Sequence, residues 1–266
     1  REGAPLLPTS ARFTDTERVR LCLERLLTHA HAPAPVAHRP LVDVRLADGT
    51  RLSALLPPLA RRGVSFSLRR PPPKAPTLEA LAERGVLSVQ VARFLARVVL
   101  AQKNIVVTGP ALSGKTQVTS ALAAAAPLEE RFVVFEGDEA IVLPQRHVVA
   151  VEATPVFAAG ALGVSARATF AAALRLRPQR VVAAAVPGGA ALDVLQAMSA
   201  GTCPWILEVA GRSPREALAR LETQALLRAP EMPSRPLRDL LAAGAQVVVH
   251  VGRAAAGRSA VVSVSE

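Results

Sequence analysis

The eight residues Gly109-Pro-Ala-Leu-Ser-Gly-Lys-Thr116 limit what this chain can fold into more than any other stretch. They fit the spacing G-x-x-x-x-G-K-[ST] and lie between a β-branched run, Asn104 to Thr108, and an Ala-rich helical run, Gln117 to Ala126. A loop that leaves a strand and enters a helix turns unpaired backbone N–H groups, and the positive end of the helix dipole, toward an anion. Each residue type then has a task. Gly109 and Gly114 let the backbone turn and approach a phosphate, with Ser113 in the same cradle. The Lys115 ammonium suits the β- and γ-phosphates, and the Thr116 hydroxyl suits a metal ion. ATP and Mg²⁺ are the ligands this pattern predicts. The alternative, a glycine-rich turn with a solvated lysine, does not explain the flanking strand and helix.

Composition narrows the rest. A chain of 266 residues with 50% hydrophobic content can bury one large core or two small ones. No apolar run reaches the ~18 residues that span a bilayer and no charged n-region precedes an apolar h-region, so a cytoplasmic location is expected. Cys22 and Cys203 stand far apart, outside any CxxC spacing, and read as ordinary buried thiols. The net charge of +11 comes from 32 basic residues, of which only Lys74, Lys103 and Lys115 are lysine. The arginines are spread along the whole chain together with Ala, Pro, Val and Leu, which is the signature of a GC-rich coding sequence, and form no continuous basic block. With 3% aromatics and no tyrosine, the stacking platforms of single-strand binders are missing, so nucleic acid is not expected as a partner.

Read in order, residues 12–30 form a helix behind a Thr14-Asp-Thr-Glu17 capping box, with Val19, Leu23, Leu26 and Leu27 on one face. A hairpin follows, Leu41 to Leu46 and Arg51 to Leu56 about Ala47-Asp-Gly49, and then a short strand from Val64 to Leu68. Residues 1–70 thus read as a small α/β domain, 71–77 as a proline-rich linker, and 78–266 as the P-loop domain. The second domain opens with helices over 78–84 and 88–101. Strands at 104–108, 132–136, 147–152, 181–186 and 205–209 then alternate with helices, and Ser213-Pro-Arg-Glu216 caps a helix to about Arg228. Apolar runs at 246–251 and 260–264 close the sheet. The pattern predicts a parallel, doubly wound sheet with nucleotide at its carboxyl edge.

These segments resemble the CpaF-type ATPases of Tad/Flp pilus assembly, within the type II/type IV secretion ATPase superfamily. The likeness covers nearly the whole chain. It rests on Arg12-Phe-Thr14, Pro40-Leu-Val-Asp-Val-Arg-Leu-Ala-Asp-Gly-Thr-Arg51, Pro57-Pro58, Ser67-Leu-Arg-Arg70 and Leu78-Glu-Ala-Leu81. Beyond the Asn104-Ile-Val-Val-Thr-Gly109 strand it continues through Leu174-Arg-Leu-Arg-Pro-Gln-Arg180, Gly188-Gly189, Leu192-Asp-Val-Leu-Gln-Ala-Met198 and Ser213-Pro-Arg-Glu-Ala-Leu-Ala-Arg-Leu-Glu-Thr223. The resemblance implies an N-terminal α/β domain over a RecA-like core, a hexameric ring, and nucleotide between the domains. It also implies inner-membrane secretion platform proteins as partners, and a place in the cytoplasm, peripheral at the inner membrane.

Three positions depart from the family, and all bear on hydrolysis. The glutamate that ends the family's Walker B segment is Ala185, with Pro187 and Ala190 replacing a nearby arginine and acid. The acidic box reads Glu136-Gly-Asp-Glu-Ala140, so only Glu136 is in place, with Asp138 and Glu139 as displaced candidates. The His-box histidine is Ala210. Removing one group that positions the nucleophile or stabilises the transition state costs about 10²–10³-fold, and removing several leaves little. The expectation is a subunit that binds ATP·Mg²⁺ and hydrolyses it weakly or not at all, in a ring of its own copies or with an active paralogue. The alternatives are a working motor ATPase that recruits Glu136, Asp138 or Glu139, and a scaffold that binds no nucleotide. The resemblance implies nucleotide contacts for Arg69 and Arg70, whose other reading is a solvated rim. It implies a neighbouring-subunit contact for Arg175, Arg177 and Arg180, whose other reading is surface. Glu136 is either a metal-shell carboxylate and the candidate catalytic acid, or a plain surface group. His147 reads as structural, and His29, His31 and His38 carry no assignment. The chain opens without methionine, which suits a segment of a longer protein.

Overall fold

The computed structural model describes residues 7–30, 40–72, 74–137, 139–152, 165–186, 189–253 and 258–266. Asp138, His31, His38, Pro187 and Gly188 lie outside them. Helix α1 (Thr16–His29) starts the described fold. Its cap is Asp15, whose Oδ1 accepts from the Arg18 N–H at 2.8 Å, rather than the expected Thr14. A carboxylate is the stronger acceptor at a helix N-terminus, and Glu17 is drawn sideways into an ion pair with Arg20 instead of closing the box.

Strands β1 (Leu41–Arg45), β2 (Arg51–Leu55) and β3 (Ser65–Arg69) form an antiparallel sheet in the order β1-β2-β3. The turn between the first two is built by Asp48, whose side chain accepts from the Thr50 amide and hydroxyl, and by Gly49 at φ +81°. Leu23 and Leu27 of α1 bury against Val42, Leu52 and Ala54, giving this sheet its own hydrophobic cluster.

Helices α2 (Leu78–Glu83) and α3 (Val89–Leu100) follow, capped by Thr77 and Ser88. Then come β4 (Ile105–Gly109), α4 (Lys115–Ala124), β5 (Arg131–Glu136), β6 (His147–Glu152), α5 (Ala166–Leu174), β7 (Arg180–Ala183), α6 (Ala191–Ser199) and β8 (Trp205–Ala210). The chain ends with α7 (Pro214–Leu226), α8 (Ser234–Gly244), β9 (Val247–Arg253) and β10 (Ser259–Ser265). Strands β4 to β10 make a seven-stranded sheet in the order β10-β9-β4-β8-β7-β5-β6. All its pairings are parallel except β10 with β9. Helices cover both faces, so its central strands read as near-continuous Val/Ile/Phe runs buried on both sides.

Four features differ from the sequence reading. Helix α8 was not anticipated, because Pro236 hides a pattern carried by Leu237 and Leu241; in the first turn its missing N–H costs nothing. Strand β10 runs antiparallel, since only residues 254–258 separate it from β9, too few for the dozen or so a parallel crossover needs. Arg180 is neither a surface group nor free to meet a neighbour: it is fully buried, with its guanidinium on Glu130 at 2.8 Å and on the Val99 carbonyl. Arg175 and Arg177 are exposed, and the two cysteines are half-buried free thiols rather than buried ones.

The buried pair carries a clear stability prediction. Glu130→Ala leaves the Arg180 charge uncompensated in the core and should cost about 3–5 kcal/mol in urea unfolding, whereas the exposed pair partner Glu129→Ala should cost less than about 1 kcal/mol.

Candidate functional site at the phosphate loop

Strand β4 delivers Gly109 to the carboxyl edge of the sheet, between β8 and β9, and the chain re-enters a helix at Lys115. Glycine is required at both ends of the loop. A Cβ on Gly109 would overlap the Val251 carbonyl oxygen, and Gly114 holds φ +87° with Ser259 pressed against it. Gly114 is also the N-cap of α4 and offers no side-chain acceptor, so the first amides of that helix are left for a ligand. Arg253 donates to the Leu112 carbonyl, tying the loop tip to β9.

Within the loop, Lys115 Nζ donates to the Pro110 carbonyl at 2.8 Å. Burial pushes its ammonium below the ordinary lysine range, opposed by the negative charges of Glu208 and Glu139. Ser113 is fully buried and its hydroxyl has no partner. Thr116 donates to Glu208 Oε2 at 3.2 Å.

Glu208 is the residue that sequence reasoning missed. It lies on β8 in register with Val107 of β4, is 5% exposed, and its Oε1 accepts no hydrogen bond. Burial raises its pKa to about 7. Thr119, Lys115 and Thr116 pull the other way, Thr119 the most. The signal was present in Trp205-Ile-Leu-Glu-Val-Ala210, where one acid interrupts an apolar strand and needs a partner. A second buried polar contact joins neighbouring strands, Thr108 Oγ1 to His250 Nδ1 at 2.7 Å.

The other candidates are placed as follows. Glu136 ends β5 and is buried, so it is not a plain surface carboxylate. Its Oε1 accepts from the Ile141 amide at 3.0 Å and its Oε2 lies 3.4 Å from Arg45, which also meets Glu152 at 2.9 Å. Burial raises the Glu136 pKa against the pull of Arg45. Arg51 donates to the Gly137 carbonyl at 2.8 Å, and Arg69 reaches Glu139 at 3.3 Å. Arg69 therefore stands at the rim of the loop through Glu139, whereas Arg70 is exposed and acts on Asp48. Gly137 and Ala185, two of the positions where the resemblance implies a carboxylate, face each other: a Cβ on Gly137 would sit 3.3 Å from that of Ala185. Ala210 is exposed at the end of β8, and His147 is exposed at the start of β6. Among the described residues no cluster of three or more His, Cys, Asp or Glu could hold a metal by itself, and no helix is long and apolar enough to cross a membrane.

Comparison with known proteins gives a family model described as "Type II/IV secretion system protein", matching residues 10–249. A Mycobacterium tuberculosis (strain H37Rv) protein named "Putative conjugal transfer protein" is 33% identical over 264 residues, covering 97% of this chain and 74% of that protein. The type IV secretion system protein PtlH homolog of Bordetella bronchiseptica is 32% identical over 265 residues, covering 86% and 78%. Among solved structures, the VirB11 ATPase of the Brucella suis type IV secretion system, in complex with sulphate, aligns with TM-score 0.59 at 23% identity, covering 94% of this chain and 80% of that one. At that identity the match bears on the fold alone.

The raised pKa of Glu208 has a measurable sign. Between the unfolded value near 4.5 and the folded value of about 7 the native state keeps a proton that the unfolded chain has shed. Its contribution is complete below the lower value and is lost as pH rises through the upper one. The stability difference between the parent and Glu208→Gln should therefore move in the variant's favour by up to about 3 kcal/mol from pH 5 to pH 8.5, read by urea unfolding.

Proposed function

The chain belongs to the type II/IV secretion system protein family, and from that premise we propose that it is a nucleotide-binding subunit of a secretion or pilus-assembly machine of the CpaF type, with little or no ATP hydrolysis. One observation carries the reading. The phosphate loop keeps a left-handed Gly114, a free helix N-terminus, Lys115 and Thr116, while beside it Ala185 and Gly137, neither with an acidic side chain, face each other past the ends of β7 and β5. Phosphate affinity arises mainly from loop amides, the lysine and the metal, whereas phosphoryl transfer needs groups that aim water and offset developing charge.

Buried hydroxyl and carboxylate oxygens at the foot of the loop suit a hard divalent cation, which takes oxygen ligands. Thr116 would hold the Mg²⁺, which when bound neutralises phosphate charge. Gly109, Ser113, Gly114 and Lys115 surround the phosphates, and Arg69 approaches from the small sheet. The subunit then works in a hexameric ring, of its own copies or with an active paralogue, beneath inner-membrane platform proteins on the cytoplasmic side. A second reading, a working motor ATPase, is favoured by the position of Glu139, a candidate substitute carboxylate, at the rim of the loop, where it pairs with Arg69 at 3.3 Å.

Binding and turnover separate these readings. A fluorescent ATP analogue should bind the parent and lose roughly 100-fold or more in affinity with Lys115→Ala, while steady-state hydrolysis stays far below about 1 s⁻¹. Turnover near that rate, abolished by Lys115→Ala, establishes the motor. Absence of binding at millimolar analogue makes the chain a scaffold.

A further inference from the structure

The seven-stranded sheet contains a buried acid that none of the expected roles uses. Glu208 stands on β8, directly beside the loop strand, with Oε2 on Thr116 and Oε1 without a partner. It is one of three partnerless buried oxygens in this part of the molecule, with Ser113 Oγ and Thr119 Oγ1. An isolated carboxylate in such a place is costly unless it is paired or coordinates a metal. One 3.2 Å bond from a neutral hydroxyl offsets little of that cost, and Lys115 donates to Pro110 instead. An apolar residue or a threonine would pack on β8 without the cost, so the strand gains nothing structural from an acid.

The surrounding acids are otherwise engaged. Glu136 is held by Arg45 and the Ile141 amide, and Glu139 pairs with Arg69 at the exposed rim. At the end of β7 the chain offers only alanine methyl groups. Glu208 is thus the one buried carboxylate among the described residues that touches a phosphate-loop side chain, and it does so with Oε2 while Oε1 accepts no hydrogen bond.

We propose that Glu208 supplies the negative charge of the divalent-cation site at the phosphate loop, acting with Thr116 to hold the metal against the nucleotide phosphates. The acid reaches the metal from β8, the strand between the loop strand and β7, directly or through a metal-bound water. The inference rests on nucleotide occupying the loop, but does not require hydrolysis. It makes the affinity of the site depend on Mg²⁺ or Mn²⁺ through a residue on a neighbouring strand.

The test is metal affinity, not turnover. Mn²⁺ is titrated into the protein with saturating non-hydrolysable ATP analogue and followed by electron paramagnetic resonance. Analogue affinity is measured in parallel with Mg²⁺ and with chelator. Glu208→Gln keeps the size and the contact with Thr116 and removes the charge, so Mn²⁺ affinity should fall about 10–100-fold while metal-free analogue affinity holds or improves. Glu208→Asp keeps the charge but withdraws the oxygens by one methylene and should also weaken Mn²⁺, by about 10-fold; it carries the test if the Gln variant does not fold. Unchanged Mn²⁺ affinity in a folded variant overturns the proposal and leaves Glu208 as a neutral partner of Thr116. Parent protein that binds the analogue equally with metal and with chelator overturns it too, without touching the nucleotide-binding reading. Parent protein that binds no analogue under either condition overturns both.

Discussion

The steric fit between the phosphate loop and the two strands beside it is the constraint on which the site depends. Gly109 has no room for a side chain because the Val251 carbonyl occupies that space, and Gly114 turns left-handed with Ser259 against it. Arg253 then holds the loop tip by the Leu112 carbonyl. The β9–β10 hairpin therefore shapes one wall of the loop and Glu208 on β8 forms the other. The amides of α4 are presented between them because no side chain is available to cap the helix.

Much of this arrangement was legible in the sequence, for physical reasons. Strands buried on both faces have to be apolar and β-branched along their length, which is why Ile105–Gly109 and Arg131–Glu136 stood out. Thr77, Ser88 and Ser213 announce helix starts because short side-chain oxygens satisfy otherwise orphaned amides, and each does so here. Strand order was not legible. Nothing local says that β8 inserts beside β4, about a hundred residues earlier, and so nothing local says that Glu208 meets Thr116. The burial of Arg180 was hidden likewise, because its partner Glu130 lies on the approach to a different strand. Position in a motif pointed Arg180 toward a neighbouring subunit, with the surface as the alternative; the core took it instead.

Side-chain chemistry at the carboxyl edge and the packing of the fold are separable in this molecule. Ala185 and Gly137 sit against each other at the carboxyl edge, and neither contributes to the two large hydrophobic clusters as a buried member. A small side chain at that spot opens no cavity in the packed interior, so the usual penalty for large-to-small change does not apply. The phosphate-binding half is different, since its glycines are fixed by steric contact with β9 and β10.

The small sheet approaches the acidic box through arginines, and the partner that Arg51 grips is the Gly137 carbonyl oxygen. A main-chain oxygen is present whatever side chain the residue carries. Docking of the two sheets through this bond is thus blind to the side chain of residue 137. The chemistry at residue 137 can therefore change one substitution at a time while the joint between the sheets stays intact.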